Sequence, residues 1–389
     1  MNFSRQNACR ARIAAALLVL GAAPGRAEEL FSLEDLKGDD SGTGALIYPN
    51  REDLQPGDLD LVRFSAERRA DGVWFAVEMA QPVRSPIGRV TELGQTPIDR
   101  IARDGFYTFN VDVYIDTDRI AGAGNSATVP GRGVTVDRNF AWERAIVLTP
   151  RSEIARTMLQ MYFDDEYQAQ VLAEKGQVSK EDLKSVESRS EKIVTEQYFF
   201  PGKVRVAGRK VEFLVPTEFL GGVPEQSWAY TVIVTGADLE QTGRAGQISP
   251  ARPTMMTMSV ARGVRWSQWG IRSDADEATP PVVDILSPDP DTQPTVLTSY
   301  DMVAGRLAAV PGVAADGKEA VAATGKPLTM EQAARIDTAA DSAAAGTAPA
   351  SIEKRTVPAR LRTLNQLLED GLITQAEYNE LRRKILAEL

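Results

Sequence analysis

The chain has 389 residues, with 54 acidic against 44 basic side chains, a formal net charge of −10, one cysteine and no histidine. A surface this negative repels nucleic acid and anionic membranes, so neither is an expected partner. The lack of histidine excludes Ser–His nucleophile pairs and nearly every zinc site, leaving carboxylates, Lys, Arg, Ser and Tyr as the available chemistry.

At the start of the chain Arg5, Arg10 and Arg12 stand before or beside the apolar run Ile13–Leu20, and small residues follow as far as Ala27. Residues 1–27 are therefore predicted to be a cleavable secretory signal peptide, since a membrane span needs about 20 apolar residues. Cleavage after Ala27 removes four arginines, no acid and Cys9. That leaves 40 basic against 54 acidic side chains, a charge of about −14. The predicted location is periplasmic or secreted, and the mature chain has no disulfide or thiolate chemistry.

Residues 28–311 read as a β domain. Val62–Arg69 and the alternation Val73, Phe75, Val77, Met79 predict a hairpin turning at Asp71-Gly72, with Trp74 and Glu78 on the opposite face. Tyr107–Asp116 alternates strictly and predicts a half-buried strand with one polar face. Further strands are expected at Trp142–Thr149, Ile193–Phe199, Lys203–Ala207, Lys210–Val215 and Ser227–Thr235. Ser152–Tyr162 and Ser179–Lys192 read as helices, the second capped by Ser179, so residues 152–192 form a helical insertion. The predicted fold class is mainly β: an antiparallel β-sandwich with a helical insertion, plus a C-terminal two-helix hairpin.

Residues 312–350 are an Ala-rich linker. In residues 351–389 the leucines Leu361, Leu364, Leu367 and Leu368 repeat at helical spacing, Gly371 supplies a stop, and Thr374 with Glu377 forms a capping box. These features predict the helical hairpin.

The run Lys37-Gly38-Asp39-Asp40-Ser41-Gly42-Thr43-Gly44 is followed in order by Gly57-Asp58-Leu59-Asp60-Leu61, Val113-Tyr114-Ile115-Asp116-Thr117-Asp118, Trp228-Ala229-Tyr230 and Val283-Asp284-Ile285-Leu286. Together these pieces resemble the glucodextranase C-terminal-module family, a DOMON-like β-sandwich related to family 9 carbohydrate-binding modules. The resemblance covers most of residues 30–311. It implies a module of the kind attached to secreted carbohydrate-active enzymes, binding glycans or the cell surface. Leu367–Thr374, followed by Glu377-Tyr378, is similar to the short C-terminal domain (SHOCT) family. That similarity implies oligomerisation or partner contact, so a homo-oligomer through residues 351–389 is expected.

Acidic residues crowd near glycines, and oxygen-rich turns hold calcium, which takes six to eight oxygen ligands. Asp39, Asp40, Asp116 and Asp118 are the candidate ligands and calcium the candidate cofactor, although the same residues serve equally as Asx-turns and strand caps. Trp74, Trp266 and Trp269 are the candidate ligand-binding rings, since sugars stack on aromatic faces; core packing is the alternative for each. No catalytic residue is nominated. A glycosidase would need two carboxylates facing across a groove. The expected function is an exported, non-catalytic module binding a glycan or envelope component. The alternative is a structural or assembly protein that oligomerises through its tail.

Overall fold

The computed structural model describes residues 27–91, 96–239, 255–263, 265, 268–276, 278–301 and 304–316. The predicted signal peptide, the part of the predicted linker beyond residue 316, the predicted helical hairpin and Trp266 lie outside the described residues. The chain divides into two compact units, 1–338 and 339–389, and every described residue belongs to the first.

In chain order the first strands are β1 (Glu28–Glu34), β2 (Leu46–Ile47), β3 (Leu61–Arg69) and β4 (Gly72–Met79). They are followed by β5 (Phe109–Asp116), β6 (Val134–Val136) and β7 (Arg144–Leu148). Helices α1 (Ser152–Lys175) and α2 (Lys180–Gln197) come next. Strands resume with β8 (Tyr198–Phe199), β9 (Val204–Ala207) and β10 (Lys210–Val215), then the single turn α3 (Thr217–Leu220) and β11 (Ala229–Gly236). The last elements are β12 (Ser259–Arg262), β13 (Gln268–Ile271), β14 (Val282–Ile285), α4 (Thr292–Leu297), β15 (Ala308–Val310) and β16 (Val313–Ala314).

Two sheets make the sandwich. One is antiparallel in the order β1-β3-β4-β10-β9. The other runs β14-β11-β5-β7-β8, antiparallel except where β8 joins β7, with β16 also pairing β11. Alternate residues of both sheets meet in one core. Phe31, Phe64 and Phe75 of the first sheet gather around Tyr230 of the second, with ring centroids 4.5, 5.5 and 6.4 Å away. Complete burial of such a side chain is worth about 1.5–3 kcal/mol, so this aromatic cluster is a principal support of the fold. The small sheets β12-β13-β2 and β15-β6 flank the sandwich.

The structure corrects several expectations. The hairpin loop is Ala70-Asp71, since Arg69 pairs with Gly72 as the first residue of β4. Both predicted helices are longer than expected. Helix α1 runs to Lys175 because Ala155, Leu159, Phe163, Tyr167 and Val171 continue one apolar stripe at a spacing of four. It ends at Gly176, whose N–H donates to the Leu172 carbonyl at 2.9 Å. Helix α2 runs to Gln197 and absorbs most of the strand expected at Ile193–Phe199, leaving only Tyr198 and Phe199 extended. Val186, Ser190 and Val194 form its buried stripe, and Ser179 makes the expected cap as a full capping box with Asp182.

Strand β5 is not half-buried: all eight of its residues are buried. Helices α1 and α2, with Val129–Phe140 and β15, cover the outer face of the six-stranded sheet and enclose Tyr114, Trp142, Val147 and Ile233. This sheet is therefore the middle of three layers, and its polar row Asn110, Asp112, Tyr114, Asp116 needs internal partners.

Candidate binding cleft and acidic clusters

The segment after β1 is drawn onto the sandwich by its own backbone. The Gly42 N–H donates to the Val283 carbonyl at 2.8 Å. A Cβ on Gly42 would stand 2.4 Å from the Val282 carbonyl oxygen, and its φ of +59° lies in the left-handed region, so both contact and conformation require glycine. Gln293 of α4 braces the same loop, its Nε2 donating to the Asp39 carbonyl at 2.5 Å while its Oε1 accepts from Ile285 N.

This docking brings Asp39 beside Asp60 and Asp284, each offering a carboxylate oxygen within 4.8 Å of the others. Asp60 accepts the Gly38 N–H at 2.7 Å, and Asp284 accepts the Leu61 N–H at 2.7 Å. Asp35 stands next to them and accepts from Leu36 N and Ser287 N, both at 2.9 Å. In each of Asp35, Asp39, Asp60 and Asp284 one buried oxygen has no hydrogen-bond partner. Burial, reinforced by the neighbouring carboxylates, pushes Asp35 up to about 8, Asp39 to about 6 and Asp60 to about 7. Asp284 is wholly buried, and for the same reasons it lies well above the carboxylate range.

Asp40 is not part of this group. Its carboxylate accepts from the Tyr48 hydroxyl and from Gly57 N at 2.6 Å, tying two loops together. Burial, with Asp40 next in weight, pushes the Tyr48 phenol upward.

Asp116 and Asp118 form a second group with Glu143, again with oxygens within 4.8 Å. Turn bonds occupy much of it. Asp116 accepts from Arg119 N at 2.6 Å, Asp118 from Ile120 N at 2.8 Å, and Glu143 from Thr117 N at 2.8 Å and Thr117 Oγ1 at 3.1 Å. The Arg119 guanidinium also pairs with Asp116 at 3.3 Å, so a cation already stands at this cluster. Burial pushes both Asp116 and Glu143 upward. The four acids singled out in the sequence thus divide among three places: Asp39 in the first cluster, Asp40 on the loop tie, and Asp116 with Asp118 in the second cluster. Their partners Asp60, Asp284 and Glu143 are supplied by strand ends remote in the chain. Asp284 could have been found only by noticing an acid inside the apolar run Val282–Leu286.

Of the three candidate tryptophans, the two within the described residues, Trp74 and Trp269, serve packing. Trp74 is 8 % exposed, with the Arg69 guanidinium 4.6 Å and the Lys203 ammonium 4.9 Å from its ring centroid, and its Nε1 donates to Asp71 at 2.9 Å. Trp269 is fully buried in the core, edge-on to Tyr48 at 4.8 Å. Neither offers a free face for a sugar, because β4 carries a cationic cover and β13 points its ring inward.

An open cleft of about 210 Å³, of mixed polar and apolar lining, lies beside the Asp39–Ala45 loop. Thr43 and Gly44 form one wall, Arg272, Asp274 and Thr279 another, and Thr298 with Tyr300 a third. Arg272 donates to Asp274 through two bonds, of 3.1 and 2.8 Å, and holds that carboxylate below its usual range. The cleft therefore offers an exposed Arg–Asp pair, threonine hydroxyls and one aromatic ring, a set suited to a hydroxyl-rich ligand. No sequence motif pointed to it, because its walls come from three separate segments.

Among the described residues no helix is long and apolar enough to cross a membrane. No curated protein matches the chain. The family model of the short C-terminal domain matches residues 359–386, in keeping with the resemblance of the tail. The model of the C-terminal binding module, SLH-like, of glucodextranase matches residues 30–312, which takes in both sheets, the helical insertion, the acidic clusters and the cleft, and the chain belongs to that family.

Proposed function

We propose that this protein is an exported, non-catalytic binding module whose ligand is a glycan or another hydroxyl-rich component of the cell envelope. The observation that carries the reading is the cleft beside the Asp39–Ala45 loop, in a chain whose family is one of binding modules. Hydroxyls pair with the Arg272–Asp274 fork and the threonines, and the Tyr300 ring gives an apolar sugar face something to rest on.

The mature chain, applied to a glycan array and to purified peptidoglycan, is expected to retain at least one ligand. Arg272→Ala and Tyr300→Ala are expected to weaken that binding about tenfold or more; Arg272→Ala leaves the melting temperature within about 1 °C because its side chain is exposed, whereas Tyr300→Ala also lowers it, because Tyr300 packs against the outer core. Retention of no glycan and no peptidoglycan would sink the reading. A second reading, assembly through the tail, is favoured by the family match at residues 359–386.

A further inference from the structure

We propose that the carboxylates of Asp39, Asp60 and Asp284 form a buried binding site for one divalent cation of the calcium class, which locks the segment after β1 onto β3 and β14. The three ligand oxygens lie within 4.8 Å of one another. Oxygens sharing one calcium ion at about 2.4 Å lie no farther apart than about 4.8 Å, so the spacing fits a common centre.

A second observation, separate from the clustering, points to a ligand. Asp284 is 0 % exposed and Asp60 1 % exposed, yet Oδ1 of each has no hydrogen-bond partner. The other oxygen of each is anchored by a backbone N–H, from Leu61 and Gly38 respectively. One oxygen thus fixes the side chain and the other is left bare in a water-poor site. Buried carboxylates are ordinarily paired or bound to metal, and among the described residues no Arg or Lys makes an ion pair with these three. A cation supplies the missing partner to all of them at once. The all-oxygen donor set selects a hard ion, and the chain has no histidine to favour zinc or copper. Calcium suits the buried site better than magnesium, which sheds its water reluctantly. The Asp39 and Gln293 contacts then take on a purpose, since they present the loop to the ion.

The test uses the mature chain, stripped with chelator and titrated calorimetrically with calcium chloride and, separately, with magnesium chloride, alongside thermal melting. Calcium is expected to bind and to raise the melting temperature by about 5 °C or more at hundredfold excess over its dissociation constant, with magnesium weaker. Asp284→Asn and Asp60→Asn are each expected to abolish both the heat and the shift, whereas a double Asp116→Asn, Asp118→Asn variant keeps both. Absence of calcium heat in the wild-type chain, with identical melts in calcium and chelator, overturns the proposal. A response kept by Asp60→Asn and lost in the Asp116, Asp118 variant overturns it too, since the ion would then sit in the other cluster. Should Asp284→Asn not fold, Asp60→Asn and the wild-type titration still decide. The calorimetric and melting readouts need no glycan, so they stand whether or not the cleft binds one.

Discussion

Arg132 is 1 % exposed, and its guanidinium meets the equally buried Asp112 of β5 through Nε and Nη2, the latter at 3.1 Å. Its Nη1 donates to Met255 O at 3.2 Å and to the Thr257 hydroxyl. Asp112 lies on the face of β5 that alternation marks as polar, and the alternation was legible. What it did not reveal was the burial, because the cover comes from segments as distant along the chain as α2 and β15. Arg132→Met is expected to cost about 3–5 kcal/mol in urea unfolding, since it leaves Asp112 charged and unpaired in the middle layer. Adding Asp112→Leu to that variant is expected to recover more than half of the loss. A double variant no more stable than Arg132→Met would mean that the arginine acts through its bonds to Met255 and Thr257, not through the ion pair.

At the scale of elements, the helical insertion is as much a part of the sandwich as any strand. Phe163 of α1 packs beside Tyr198 of β8 at a centroid distance of 6.0 Å and stacks with Tyr167 at 6.1 Å. Phe163→Ala is expected to destabilise the protein by about 3 kcal/mol in urea, within one unchanged cooperative transition, because the helix pair and the sheet share a core. Two separated transitions would instead make the insertion an independent unit. The start of α2 was legible from Ser179 and Asp182, which cap it locally. Its end was not, because Ile193-Val194-Thr195 is β-branched and reads as strand. Packing of Val194 beneath the helix pair overrides that propensity. The acidic site divides in the same way: the loop acids stand out near glycines, while Asp284 is concealed within a short apolar strand.

At the scale of the whole molecule, the fold class and the family were legible because many short patterned strands and a series of motifs survive in order along residues 30–312. The cleft was not, since a surface made from three segments leaves no mark on any one of them. The tail, outside the described residues, is predicted to be two helices of about a dozen residues each, which are marginal alone in water. Truncation after Ala350 is therefore expected to leave the main melting transition unchanged while lowering the mass measured by light scattering. Equal masses for the two proteins would remove self-association through the tail.

The layout of the acidic site along the chain also governs when it can exist. Asp284 follows Leu61 by 223 residues, and Leu61 is the residue whose N–H holds it in place. A chain that grows or is threaded from its N-terminus presents Asp39 and Asp60 early, as two hydrated acids with weak affinity for any ion. Only when β14 docks against β11 does the third carboxylate arrive and water leave. Tight cation binding is thus deferred to the last stage of assembly, and the ion captured then acts as a latch on the finished sandwich rather than a seed for its first strands.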